Sequence, residues 1–352
     1  MSETVMIEAF EQGSEGRAHA IDHVFEWMTP HGLEGKRIVV LMGDRPVGLD
    51  LLERVVSSLA GAARVDLAAK SLAGYDPTLR TALKALVEGQ GDLVEMISGE
   101  FESLAVPTRN YARQLHSMQT QERRFIKQAF VARCLAEADL FVVVRGLELN
   151  RFSGIHGIFA TLLDCVATKT RTEVLSYAAV GQMGEALLDV WSAIEGSFLF
   201  GVLDGQETRE ETFGRTVETG ILLAGVDPEE LDGYGLIVSG GKVSWSPFSA
   251  SAQTRSGKTR RGRQIDVAAN ISLDELRQRI PAGFWERPIA PGMLARPPIL
   301  RFSSRPADFD TLVCPTGAIE EGVEGIPVVR RSGCVGCGWC MKEYAEVVVA
   351  RR

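Results

Sequence analysis

Asp139-Leu140-Phe141-Val142-Val143-Val144, followed by Arg145-Gly146-Leu147-Glu148-Leu149-Asn150-Arg151-Phe152-Ser153-Gly154-Ile155-His156-Gly157, is the stretch on which the reading of the fold turns. An unbroken run of β-branched and aromatic residues at strand length, with no polar alternation, predicts a strand buried on both faces. The Gly-rich segment behind it reads as a loop at the strand's carboxyl end. Open α/β sheets bind their ligands at such ends.

Outward from this strand the same pattern recurs. Arg37 to Met42 is a second apolar run, turned by Gly43-Asp44-Arg45-Pro46 into a helix from about Val47 to Ala60. A strand near Val65–Ala69, a helix near Pro77–Val87 and a strand near Leu93–Ile97 continue the alternation. Residues 100 to 120 read as irregular, and Glu122–Ala138 reads as a long helix on the spacing of Phe125, Ala129, Ala132, Leu135 and Ala136. Downstream, Ile158–Ala167 and Met183–Ile194 read as helices. Ser197–Leu203 reads as a strand ending in Asp204-Gly205-Gln206-Glu207, and Thr219–Gly225 as a strand closed by Asp227-Pro228 at a helix start. The expected fold class is α/β, a mostly parallel sheet with helices on both faces.

The tail has a different character. Cys334-Val335-Gly336-Cys337-Gly338-Trp339-Cys340 spaces three cysteines by two residues each, and Cys314-Pro315 lies twenty residues upstream. Two-cluster bacterial ferredoxins carry the run C-x2-C-x2-C-x3-C-P in each half, and the fourth cysteine of one half ligates the cluster of the other. At that spacing the second cluster's positions fall on Ser304, Ala307, Asp310 and Tyr344, none of them cysteine. One complete set remains, so Cys314, Cys334, Cys337 and Cys340 are the expected ligands of one 4Fe-4S cluster. The competing reading is a four-cysteine zinc site, which takes its ligands more often as two separated pairs. A small ferredoxin-like α+β module is therefore expected at the C-terminus. The expected division is a helical extension over 1–35, the α/β domain over 36–280, a Pro-rich linker over 281–297 and the module over 298–352.

Together these features resemble the iron-sulfur proteins of the domain of unknown function 362 family. They are the central strand with its Gly-rich loop before an apolar helix, a strand ending in Asp-Gly, the segment Gly220-Ile221-Leu222-Leu223-Ala224-Gly225-Val226-Asp227, and the cysteine module behind. The resemblance spans roughly residues 36 to 350. It implies an iron-sulfur protein and no particular reaction. Typical members carry a Lys-x-His and a Lys-Asn pair where this chain has Leu149, Thr161 and Leu162. Chemistry that depends on those pairs is not carried over.

Composition narrows the functional classes. The 352 residues carry a formal net charge of −8, which speaks against general nucleic-acid or anionic-membrane binding. No long uncharged apolar run and no leader-like start appear, so the expectation is a cytoplasmic chain without membrane insertion. Of six cysteines, Cys134 and Cys165 are left over in apolar settings, as buried small residues. No G-x-G-x-x-G follows a strand, so no nicotinamide or flavin fingerprint is present.

Candidate residues for further chemistry lie on the predicted carboxyl ends. His156, with Arg151 nearby, could give a proton to a substrate under reduction, or could simply cap the next helix. Asp204 and Glu207 could face the same crevice as an acid–base pair, or could only form a turn. Asp44 and Arg45 rest on position alone. Arg255, Lys258, Arg260, Arg261 and Arg263 crowd five cations into nine residues, either a solvated loop or a contact for an anionic small-molecule substrate or an acidic partner. Ala252–Thr259 matches a relaxed phosphate-loop pattern, but no long apolar helix follows it. The expected function is an iron-sulfur oxidoreductase that takes electrons from, or gives them to, a protein partner and holds a small substrate in the α/β domain. The alternative is a non-catalytic electron-transfer or assembly subunit.

Overall fold

The computed structural model describes residues 5–11, 13–43, 47–72, 75–96, 99–105, 110–111, 121–122, 125–150, 154–155, 157–177, 182–210, 216–239, 267–272, 275, 278–279, 299–306, 318–330 and 348–351. Its elements run β1 (Val5–Ala9), α1 (Ser14–Met28), β2 (Arg37–Met42), α2 (Leu49–Ser58), β3 (Arg64–Ala69), α3 (Pro77–Val87), β4 (Leu93–Glu95), β5 (Phe101–Ala105), β6 (Asn110–Tyr111), β7 (Gln121–Glu122) and β8 (Gln128–Ala132). They continue with α4 (Arg133–Ala136), β9 (Leu140–Asn150), β10 (Gly154–Ile155), α5 (Ile158–Asp164), α6 (Thr168–Ser176), α7 (Met183–Ser192), β11 (Phe198–Glu210), β12 (Thr216–Gly225), α8 (Pro228–Val238) and β13 (Val267–Ala269). Four short strands close the chain: β14 (Ile299–Phe302), β15 (Ile319–Glu321), β16 (Pro327–Val329) and β17 (Val348–Arg351).

The fold is α/β, as the apolar runs predict. A nine-stranded sheet follows the order β13-β1-β12-β11-β9-β2-β3-β4, with β10 folded back on β9. From β11 to β4 every neighbour is parallel. β12 runs against both β11 and β1, because the connection from β11 is too short to hold a crossover.

Side chains alternate between two cores. Val39, Leu41, Phe141, Val143 and Leu203 meet α5, α7 and α8 on one face. Ile38, Val40, Met42, Val142, Val144 and Val202 meet α1, α2 and α3 on the other. Two helix starts are set by local chemistry. Asp76 accepts from the N–H groups of Thr78 and Leu79 ahead of Pro77, and Asp227 does the same for Glu229 and Glu230 ahead of Pro228.

Several expectations change. Residues 5–28, read as part of a helical extension, supply β1 and α1 to the α/β body, and β1 pairs with β12 and β13. Glu122–Ala138 is not one helix. Gln128–Ala132 is strand β8, paired antiparallel with β5 in the region read as irregular, and only Arg133–Ala136 is helical. Remote groups take the backbone of this segment: Phe130 N–H donates to Thr170 Oγ1 at 2.9 Å and Ala132 N–H to the Cys165 carbonyl at 2.8 Å. Those partners outweigh a helical spacing that Ala129 and Val131 satisfy equally well as a strand.

The closing strands pair outermost with outermost and inner with inner. β14 lies antiparallel to β17 and β15 antiparallel to β16, and β14 also packs on β16. Among the described residues no helix is long and apolar enough to cross a membrane.

Phe141 is fully buried and packs edge-on against Trp191 at 6.1 Å between ring centroids. Phe141→Ala is expected to cost about 3–5 kcal/mol, read as a lower urea midpoint with an unchanged slope.

Candidate functional site

From β2 the chain moves outward to β3 and β4, then returns to lay β9 on the other side of β2. The segments leaving β2 and β9 therefore part to opposite faces, α2 to one and α5 to the other. A crevice opens at this switch point, at the carboxyl ends of the parallel strands. It encloses about 220 Å³ and is walled by Gly43, Val47 and Gly48 after β2, by Arg145–Glu148 of β9, and by Asp204, Gln206, Glu207 and Arg209 of β11.

Buried charges gather along this edge. Arg17 of α1 donates to both carboxylate oxygens of Asp204, at 2.9 and 2.8 Å, and its Nε donates to Asp50 of α2 at 2.7 Å. Arg17 and Asp204 are each only 5% exposed. Burial pulls the Arg17 guanidinium downward, but the hydrogen bonds to Asp204 and Asp50 outweigh it and the net shift is upward. On the other face of the sheet, Arg145 donates to Thr161 Oγ1 at 2.9 Å and pairs with Asp164 at 3.3 Å. Lys70, directly after β3, approaches the second oxygen of Asp164 at 3.8 Å. Gly43 packs closely on this network: a Cβ there would sit 3.2 Å from Arg145 Nε, so the Arg145 side chain would have to give way slightly.

Asp232 of α8 anchors the other side of the β9–α5 connection. Its two oxygens accept from Ile158 N–H at 2.6 Å and Phe159 N–H at 3.1 Å, and a Cβ at Gly157 would overlap it. Burial pushes its carboxyl up to about 7, although both N–H groups favour the charged form.

The sequence reading is partly met here. Asp204 and Glu207 do line one crevice, but not as a turn: β11 runs on to Glu210, and its pairing shifts between Gly205 and Glu207, where Thr219 and Gly220 of β12 stand against Gln206 alone. Its register with β9 shifts over the same stretch, and Asp204, Gln206, Glu207 and Arg209 all line the crevice. Gln206 N–H donates to Asp204 at 3.0 Å, so that carboxylate is held by Arg17 and its own strand, while Glu207 is exposed. Residues 145–150, read as loop, extend β9, and β10 pairs back on Leu149 and Asn150. Leu149 and Leu162 are core residues, and Thr161 serves Arg145.

His156, Arg151, Asp44 and Arg45 lie outside the described residues, as do Arg255, Lys258, Arg260, Arg261 and Arg263 and the cysteines at 314, 334, 337 and 340. Among the described residues no group of three or more His, Cys, Asp or Glu side chains is placed to hold a metal ion. Cys134 and Cys165 are free and buried, and burial pushes the first thiol up to about 11 and the second well above its usual value. Both are inert small residues.

Sequence reasoning missed Arg17, Lys70, Arg145, Asp164, Arg209 and Asp232. Lys70 and Arg145 did carry a signal, as the first charge after a buried apolar run. Arg17 carried none, since its partner lies 187 residues away.

No protein-family model and no curated protein matches the chain. Among solved structures it is similar to the lactate racemase apoprotein from Thermoanaerobacterium thermosaccharolyticum, with a TM-score of 0.42 and 16% identity over 68% of this chain. The match spans 57% of that protein's length.

Two predictions follow from these buried charges. Arg17→Met strands the Asp204 carboxylate and is expected to cost about 3–5 kcal/mol, whereas the double change with Asp204→Leu restores most of it. Asp232 has its folded value raised. Its contribution to stability is therefore complete below the unfolded value of about 4. It is lost as pH rises through about 7. Denaturation at about pH 5 and about pH 8 should show Asp232→Asn gaining on the native protein at the higher pH.

Proposed function

We propose that this chain is an iron-sulfur redox enzyme, related to the domain of unknown function 362 proteins. In this reading it holds one 4Fe-4S cluster on Cys314, Cys334, Cys337 and Cys340 and takes a small molecule into the crevice at the sheet's carboxyl edge. The observation that carries it is the pairing of the strands that flank those cysteines.

β14 and β17 bring Phe302 opposite Val348, and the four cysteines all fall between these two residues in the sequence. Inside it, Ile319 faces Val329, and Arg330 N–H donates to the Ala318 carbonyl at 2.7 Å. Cys314 stands four residues before Ala318 and Cys334 four residues after Arg330, so each lies at the same chain distance from a bonded pair, which is what a ligand set shared between the two stretches requires. A fourth thiolate from one side and three from the other is the donor set a cubane takes. The outer-with-outer, inner-with-inner pairing is also that of a ferredoxin-like β-α-β-β-α-β unit.

A bound cluster supplies or accepts electrons one at a time. The rest falls to the chain's own residues. The crevice has room for a small ligand between the segment after β2, β9 and β11, with Arg17 fixing the Asp204 wall. Exposed Glu207 is the carboxylate at hand to give or take a proton. A walled crevice of this kind favours an enzyme over a simple electron carrier. A protein electron donor or acceptor is the implied partner, and a cytoplasmic setting is the one that suits it.

Anaerobic reconstitution followed by EPR of the reduced protein tests this. A cubane signal is expected in the native protein and its loss in Cys337→Ser. Stoichiometric zinc in the purified protein, with no EPR signal after reconstitution, would sink the proposal.

A further inference from the structure

Three guanidinium groups line or back the crevice, and two of them have carboxylate partners: Arg17 binds Asp204 and Asp50, and Arg145 binds Asp164. Arg209 differs. It lies in β11 beyond the bulge, opposite Glu148 of β9 and Thr216 of β12. Its Nε is shielded from water and makes no hydrogen bond among the described residues. Among the described residues no carboxylate comes within ion-pairing distance of it. A charged donor removed from water without an acceptor costs about 1–3 kcal/mol or more. Arg209 also lines the ligand-sized crevice, so its guanidinium, with no ion pair among the described residues, is placed to meet an acceptor that arrives from outside.

We infer that this crevice binds a small organic monocarboxylate, with the Arg209 guanidinium as its receptor. The inference rests on the proposed function only in taking this crevice as the substrate site. A guanidinium offers parallel N–H donors in a planar fork that matches the two oxygens of a carboxylate. The other charges of the wall decide between anions. Glu148, Asp204 and Glu207 line the crevice with Arg145 and Arg209, so the local field has no positive surplus. A single negative charge is tolerated there, and a doubly charged phosphate is repelled.

Size and polarity narrow the class further. About 220 Å³ is below the roughly 300–1,000 Å³ of pockets that hold drug-sized ligands. Val47 and Leu147 supply an apolar patch beside the polar wall, suited to the short carbon body of such an acid.

Ligand-observed NMR on the full-length protein tests the assignment, with propionate, its neutral isostere propionamide and inorganic phosphate as probes. Propionate is expected to bind, with propionamide and phosphate roughly tenfold weaker or worse. Arg209→Gln should weaken propionate by a similar factor, and Glu207→Gln should tighten it by removing a rim charge. Circular dichroism checks that both variants fold. If Arg209→Gln does not fold, the contrast between propionate and propionamide on the native protein decides. Absent propionate binding, equal binding of propionamide or phosphate, or unchanged affinity in folded Arg209→Gln overturns the inference. The readout needs no cluster. Loss of the EPR signal with propionate binding intact therefore sinks the redox reading alone, and the reverse result sinks this one alone.

Discussion

Burial of the central strands on both faces is the constraint from which the rest of the molecule follows. Over residues 38–42, 141–144 and 200–203 the strands β2, β9 and β11 carry apolar side chains into two separate cores, and no charged group is accommodated there. The charged groups of these strands lie toward their two ends. At the amino edge Asp66 is fully buried between Arg37 and Arg64 and accepts the Asp92 N–H, an arrangement that ties strand starts together. At the carboxyl edge the charges line an open crevice instead.

The carboxyl-edge network is a poor device for stability alone. Two buried ions gain about what they lose in hydration, and apolar replacements of the same shape are often as stable or more so. What it provides is fixed placement. Arg17 joins α1, the start of α2 and β11 through two carboxylates, while Asp164 joins the ends of β3 and β9 to α5. Each wall of the crevice is thereby held by groups from a different layer. Where the register of β11 shifts against β12 and β9, Glu207 and Arg209 join the same crevice lining.

The C-terminal strands follow a different logic. Short two-stranded pairs have little core of their own and are marginal in isolation. Here the outer pair and the inner pair support one another through the contact of β14 with β16.

Apolar runs and local caps were legible in the sequence. Arg37–Met42 and Leu140–Val144 are buried strands because nothing but a two-sided core accepts such runs, and Asp227-Pro228 starts a helix through contacts two and three residues away. The cysteine spacing is equally local. Residues 128–132 were not legible, because the same apolar positions satisfy a helix or a strand and the choice lay with Thr170 and Cys165. Nor was the Arg17–Asp204 pair, or the crevice it braces. Pattern within an element reports only how that element is buried, whereas a site is made of side chains that far separated elements bring together, and only the folded chain sets those distances.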